Sequence, residues 1–98
     1  MIHARTDYDR IQDPGLDDPS LLSPGSTPIG ADEPVFLIRG KDAAAVSTIL
    51  HWVDESLKLG VDVELCHHVT AWAAVVALWQ SKHGRKAADS PEECIRPL

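Results

Sequence analysis

The chain contains little cysteine, with Cys66 and Cys94 as the only two among 98 residues. Two isolated cysteines are too few for the disulfide framework that stabilises many small secreted domains. Cys66 also falls inside a helical pattern, where a buried thiol is common. We therefore expect a protein of a reducing compartment, the cytoplasm.

Long apolar runs and basic residues are also scarce. No stretch approaches the roughly 18 consecutive apolar residues of a membrane-spanning helix, so the sequence predicts a soluble protein without a membrane partner. Nine Lys and Arg residues are outnumbered by 15 Asp and Glu residues, which gives a net charge of -6. Binding to nucleic acid depends largely on basic side chains that neutralise phosphates, so this balance argues against a nucleic-acid partner.

Recognisable catalytic motifs are missing as well. The sequence has no G-x-S-x-G, no phosphate-binding glycine-rich loop and no HExxH. Cys66, His67 and His68 are consecutive, and helix neighbours one apart point about 100° away from each other, so they cannot all bind one ion. His51 could meet His68 from the preceding helix, which leaves a small metal-binding protein as an alternative. We expect a protein that is not an enzyme and has no cofactor and no metal site.

The N-terminal third of the chain is acidic and rich in proline. Residues 1–33 contain seven acidic side chains and only two basic ones, Arg5 and Arg10. Prolines recur between residues 11 and 34, and proline excludes a helix or a central strand from such a stretch. The composition predicts an extended arm or a disordered tail. An ordered strap whose leucines pack on a neighbouring surface is the alternative.

One short strand is predicted at residues 35–39, where an apolar run lies between Pro34 and Gly40. The sequence shows no second run of this kind. Because a solitary strand leaves its backbone groups unpaired, we expect it to pair with the same segment of another copy or to lie as a strap over the helices.

Two helices are predicted next, at residues 43–59 and 63–83. Asp42 and Asp62 stand at the N-cap positions, and a glycine follows each helix. The first helix has one apolar stripe, formed by Val46, Ile49, Leu50, Val53 and Leu57. The predicted fold class is therefore mostly α: a helical hairpin preceded by a strand and an arm. Residues 34–84 would form the binding and oligomerisation unit, and 85–98 a C-terminal tail.

The second helix is apolar nearly all round between Ala71 and Trp79. A hairpin of about 50 residues offers one layer of contacts and hides only about 60% of its surface. The outer face of this helix would then form a large exposed apolar patch, which monomers seldom tolerate. We predict a homodimer or higher oligomer, or a partner protein, at an interface that comprises Trp72, Val75, Val76, Leu78 and Trp79.

The segment that joins the strand to the first helix is the candidate ligand site. A helix N-terminus presents free N–H groups, Gly40 permits close approach, and Arg39 and Lys41 add positive charge. Alternatively, Asp42 caps these groups itself and the two cations are only solvated. Trp52 lies off the apolar stripe, where it is available to an interface or to a stacking ligand. The predicted ligand-binding residues are Phe36, Arg39, Lys41, Asp42, His51 and Trp52.

One block of the sequence runs from Glu33-Pro34-Val35-Phe36-Leu37 through Arg39 to Asp42, with the pattern Glu-Pro-Val-Phe-Leu-x-Arg-x-x-Asp. This block resembles a pattern of small uncharacterised proteins encoded by bacteriophages and prophages. A tryptophan in the first helix, then Trp79 ahead of His83-Gly84, extend the likeness over roughly residues 33–91. The resemblance implies a phage accessory protein that works in the host cytoplasm, and it brings no activity to carry over.

We therefore expect a non-enzymatic phage accessory protein that blocks or sequesters a component of the host. In one form it is an anti-defence sponge for a signalling nucleotide, which two copies facing each other could hold through Arg39, Lys41 and Trp52. In the other form it is a protein inhibitor of a host defence complex and uses the acidic arm 1–33.

Overall fold

The structure is a computed structural model that describes every residue from Met1 to Leu98. About half of the residues are helical. The strands and α-helices, in chain order, are β1 (Ile2–His3), β2 (Pro34–Val35), α1 (Ala45–Lys58) and α2 (Val63–His83). The chain divides into two compact units, which we call unit 1 (Met1–Leu37 with Asp89–Leu98) and unit 2 (Ile38–Ala88). These boundaries differ from the sequence-based division after residues 33 and 84.

Unit 2 contains the predicted helical hairpin, which is confirmed. The bounds of α2 are those expected, and the carboxylate of Asp62 caps it by accepting a hydrogen bond from the Glu64 N–H at 2.8 Å. Gly60, which follows α1, has a φ of +79°, a conformation that favours glycine. Neither helix combines the length and the apolar character that crossing a membrane requires.

The first helix begins at Ala45, two residues later than predicted. The carboxylate of Asp42 accepts a hydrogen bond from the Ala44 N–H at 2.8 Å, and its carbonyl accepts one from the Ala45 N–H at 3.0 Å. Asp42 therefore stabilises a turn that precedes the helix. The N-cap of α1 is Ala44, two residues after the position that the sequence predicts.

The two helices pack along a seam of small side chains. The buried residues of α1 are Ala45, Val53 and Ser56, and those of α2 are Cys66, Ala73 and Gln80. The three on α2 are spaced seven residues apart, which keeps them on one face of the helix. Because small residues occupy the seam, the bulky apolar side chains of the same helices lie largely outside it.

Gln80 fixes the segment before α1 against the end of α2. Its side-chain amide donates hydrogen bonds to the carbonyl oxygens of Gly40 at 2.8 Å and Asp42 at 2.9 Å. The Ala43 N–H donates to the carbonyl oxygen of Lys86 at 2.8 Å, so the chain after α2 pairs with the same segment. These contacts hold the approach to α1 in one position.

Unit 1 corrects the predicted strand. β1 and β2 pair in parallel, with Ile2 opposite Pro34 and His3 opposite Val35. The strand predicted at residues 35–39 is therefore wrong in its bounds, and its partner comes from the beginning of the same chain. A strand of two residues is too short to show an apolar pattern, which is why the sequence gives no sign of β1.

Residues predicted as an arm or a disordered tail have defined hydrogen bonds in unit 1. One carboxylate oxygen of Asp13 accepts from the Gly15 N–H at 2.8 Å, and the other accepts from the Ile29 N–H at 2.7 Å. The buried ring of His3 donates from Nε2 to the carbonyl oxygen of Ile11 at 2.6 Å. Short 3-10 helices at Thr6–Tyr8, Pro14–Leu16 and Pro19–Leu21 complete this segment.

The C-terminal residues belong to the same unit. Arg96 donates from Nε to the carbonyl oxygen of His3 at 2.6 Å, and its guanidinium pairs with Asp9. Arg5 donates to the carbonyl oxygen of Asp89 at 2.9 Å. Residues 89–98 are thus anchored to the N-terminal segment.

Candidate functional site

An open groove on unit 2 is the candidate binding site. Its volume is about 300 Å³, and its lining consists of Ile38, Thr48, Ile49, Trp52 and Val69. The Thr48 hydroxyl and the Trp52 indole N–H are the polar side-chain groups among these residues. Such a lining suits a flat apolar group, whereas a charged group would lose hydration there without compensation.

Three parts of the fold bring the lining together. Thr48 and Trp52 lie one turn apart on α1, at the edge of the helix seam. Val69 contributes from α2, and Ile38 comes from the segment that Gln80 holds in place. The indole of Trp52 is 45% exposed. It therefore offers an accessible aromatic face against which a ring could stack.

The cationic residues that follow Ile38 in the sequence are free of internal partners. Arg39 directly follows the lining residue Ile38, and neither its side chain nor that of Lys41 makes a hydrogen bond or an ion pair within the chain. Asp42 is engaged differently, because its carboxylate caps the Ala44 N–H. Of the predicted ligand residues around the start of α1, the structure thus leaves the two cations available and uses Asp42 for capping.

Neither His51 nor Phe36 is among the residues that line the groove. His51 is exposed on α1, and its Nε2 is 3.9 Å from the Glu55 carboxylate one turn along. Phe36 belongs to unit 1, where its side chain is 75% exposed. Among the six predicted ligand residues, Trp52 is the one that the structure places in the groove.

Four lining residues are not singled out by the sequence as ligand contacts. Ile49 and Val69 belong to the predicted apolar stripes, so the pattern assigns them to the core. They remain only half-buried, and they line the groove. Thr48 carries no sequence signal that could have identified it.

The histidine and cysteine residues do not assemble into a metal centre. No group of three or more His, Cys, Asp or Glu side chains is placed to hold a metal ion. Cys66 is a free thiol only 1% exposed in the seam, while His67 and His68 are exposed on α2. The structure therefore separates the thiol from the imidazoles that adjoin it in sequence.

The predicted interface residues lie on α2 outside the seam. Trp72 is 55% exposed and Leu78 is 59% exposed, and the side chains of Val75 and Trp79 are also exposed. Val76 is half-buried at the edge of the seam. The indole of Trp79 stacks on the ring of His83, with ring centroids 4.5 Å apart.

Comparison of the chain with protein-family models, with curated proteins and with solved structures gives no match. The functional assignment therefore depends on the residues of this chain and their geometry.

Proposed function

We propose that this protein is a non-enzymatic binding protein that sequesters a small molecule with a flat ring, namely a signalling nucleotide. The observation that carries the proposal is the apolar groove beside the exposed indole of Trp52. A nucleobase placed on this indole would stack on one face and cover apolar side chains with its edge. Such stacking accepts any base, because every base has a π-face.

A nucleotide ligand also requires positive charge for its phosphates. Arg39 follows the groove residue Ile38 directly, and Lys41 lies two residues further along. A guanidinium can bind a phosphate through two parallel hydrogen bonds, and an ammonium adds a point charge. Two cations without internal partners therefore supply the second half of a nucleotide site, next to an apolar half that takes the base.

The size of the groove limits what one copy can hold. A volume of about 300 Å³ lies at the lower end of the range for small-molecule sites. It accommodates one base rather than a whole cyclic oligonucleotide. A ligand with two bases would therefore engage two copies of the protein, one base in each groove.

The resemblance of residues 33–91 to phage-encoded accessory proteins supports a role in the host cytoplasm. A sponge that removes a nucleotide signal from a defence pathway needs affinity and abundance but no catalytic group. The groove has a stacking surface, and no acid–base pair lies in its lining. An anti-defence sponge is therefore the specific form of the proposal.

Calorimetric titration with mononucleotides and with cyclic di- and trinucleotides tests this proposal. We expect at least one to bind, and saturation to raise the melting temperature by a few degrees. Trp52→Ala should abolish binding, whereas Trp52→Phe should retain part of it. A flat response to every nucleotide would remove the proposal.

The need for a positive charge at Arg39 can be tested against a matched arginine elsewhere in unit 2. Arg39→Gln should weaken nucleotide binding by about tenfold or more, in line with the loss of one charge-assisted phosphate contact. Arg85→Gln removes another exposed arginine of unit 2 and should leave the affinity unchanged. Equal effects of the two variants would show that only net charge matters and that Arg39 is not a phosphate ligand.

A second candidate function is inhibition of a host protein complex by the acidic surface of unit 1. Asp9, Asp17, Asp18, Asp32 and Glu33 are exposed there. Because residues 1–33 are folded, neutralising substitutions such as Asp17→Asn with Asp18→Asn are a better test than deletion. Loss of co-purification with a host protein, with nucleotide binding unchanged, would favour this candidate over the sponge.

A further inference from the structure

The outer face of α2 is the largest feature of unit 2 that the groove does not use. It carries bulky apolar side chains that the hairpin leaves exposed: Leu65, Trp72, Val75, Leu78 and Trp79. Each is about half exposed, which corresponds to roughly 100 Å² of surface for side chains of this size. The patch thus amounts to about 500 Å² per copy, which is within the range of the largest apolar patch on a typical soluble protein, and such patches are often functional.

The charges on α2 indicate what covers this face. Glu64 and Lys82 are the first and last charged residues of the helix apart from its histidines, and no Asp, Glu, Lys or Arg lies between them. They are 18 residues apart, which is about five turns, so both lie on the same side of the helix. Neither side chain makes an ion pair or a hydrogen bond within the chain. The helix therefore has an acidic end, an uncharged middle and a basic end along one side.

We propose that the outer face of α2 is covered by α2 of a second copy, in antiparallel orientation about a two-fold axis that crosses the helix at the level of Ala73. This orientation brings Glu64 of each copy beside Lys82 of the other, and it does so twice because of the symmetry. A parallel pair would instead bring Glu64 against Glu64 and Lys82 against Lys82. Like charges at both ends would oppose that arrangement.

The apolar residues fit the same alignment. With the two-fold axis at the level of Ala73, Val75 of one copy lies at the level of Ala71 of the other, and both residues lie on the side of α2 opposite the seam. A larger side chain thus meets a smaller one near the centre of the interface, as helix packing requires.

The covered apolar area reaches the lower limit of a biological interface. Two patches of about 500 Å² give about 1,000 Å² of apolar surface, which reaches the size expected of a biological interface before any polar rim is added. This inference does not depend on the ligand of the groove. It is compatible with a ligand that engages two copies.

Molar mass by light scattering of the full chain, measured over a range of concentrations, tests the pairing. One chain has a mass of 10.7 kDa, so the antiparallel pair should weigh about 21 kDa, a doubling that follows from the two-fold symmetry. Glu64→Lys and Lys82→Glu each create like charges at both ends, and each should raise the dissociation constant at least tenfold. The double variant E64K/K82E restores opposite charges and should dimerise like the original chain.

The helix dipole makes this comparison decisive. Lysine in the first turn and glutamate in the last turn both disfavour the helix, and the double variant carries both penalties. A recovered dimer in the double variant must therefore come from the pairing between copies. Ser81→Glu adds an acid on the same turn as Lys82 but on another side of the helix, and it should leave the mass unchanged.

A chain that remains at about 11 kDa at several hundred micromolar would overturn the proposal, and so would an assembly of any size that neither single substitution weakens. Circular dichroism of each variant establishes that the helices are intact, so that a lost dimer is not an unfolded chain.

Discussion

At the scale of single residues, Asp13 shows how much one side chain can organise. Its two carboxylate oxygens accept the N–H groups of Ile29 and Gly15, and these hydrogen bonds, the one from Ile29 first, lower the pKa of the Asp13 carboxyl below its usual value. The bonds connect positions 16 residues apart in the proline-rich segment. The Asp13 carboxylate thus helps to order the proline-rich segment through hydrogen bonds to the backbone.

The lowered pKa of Asp13 predicts the pH dependence of unit 1. A carboxyl whose folded-state pKa is depressed stabilises the fold above its unfolded pKa of about 4, and this stabilisation is lost as the pH falls through the folded-state value. Asp13→Asn offers one acceptor in place of two and should lower the melting temperature at pH 7. The difference from the original chain should shrink between about pH 5 and pH 2, as measured by thermal unfolding.

Asp17 provides the matched control, because its exposed carboxyl belongs to the same segment and its side chain makes no hydrogen bond. Asp17→Asn should leave the melting temperature almost unchanged at every pH. If Asp13→Asn and Asp17→Asn behaved alike, the two hydrogen bonds of Asp13 would not be what orders this segment.

At the scale of elements, the helices were predictable because their ends are signalled locally. Asp62 caps the N-terminus of α2, and Gly84 ends the helix, so the predicted bounds of α2 are confirmed. The start of α1 differs by two residues because Asp42 caps a turn whose geometry depends on Gln80, 38 residues away. Such a contact leaves no local pattern. The β1–β2 pair was missed for the same reason, since its register joins residues more than 30 positions apart.

The cap of α2 is testable on its own. Asp62→Ala removes the acceptor for the Glu64 N–H and should lower the free energy of unfolding by about 1 kcal/mol. Asp62→Ser keeps a capping oxygen and should cost much less. Chemical denaturation followed by circular dichroism measures both, and equal losses would mean that the charge of Asp62 matters rather than its hydrogen bond.

Gln80 connects α2 to the segment that follows the groove residue Ile38. Its amide satisfies two carbonyl oxygens, and the residue is buried. Gln80→Ala should therefore lower the free energy of unfolding of unit 2 by about 1–3 kcal/mol. Because Ile38 precedes the segment that Gln80 holds, this variant should also weaken nucleotide binding, whereas Ser81→Ala next to it should not. Nucleotide affinity that survives Gln80→Ala unchanged would separate the groove from this anchor.

At the scale of the whole molecule, the sequence indicates the hairpin and its uncovered apolar helix but not the groove. Trp52 is identifiable because it falls outside the apolar stripe of α1. The depression next to it forms where Ile38, Thr48, Ile49 and Val69 surround the indole. Packing of this kind depends on which side chains meet across two helices. The sequence shows the order of side chains along each helix, but it does not show which side chains of α1 contact which side chains of α2.

The central claim is that a nucleobase stacks on Trp52, and the three tryptophan indole N–H signals in a two-dimensional proton–nitrogen NMR spectrum test it directly. Substitution of each tryptophan by phenylalanine assigns the signals. We expect saturating cyclic dinucleotide to shift the Trp52 signal more than those of Trp72 and Trp79. A Trp52 signal that stays in place while the nucleotide binds, or while every nucleotide in the panel fails to bind, would contradict the claim.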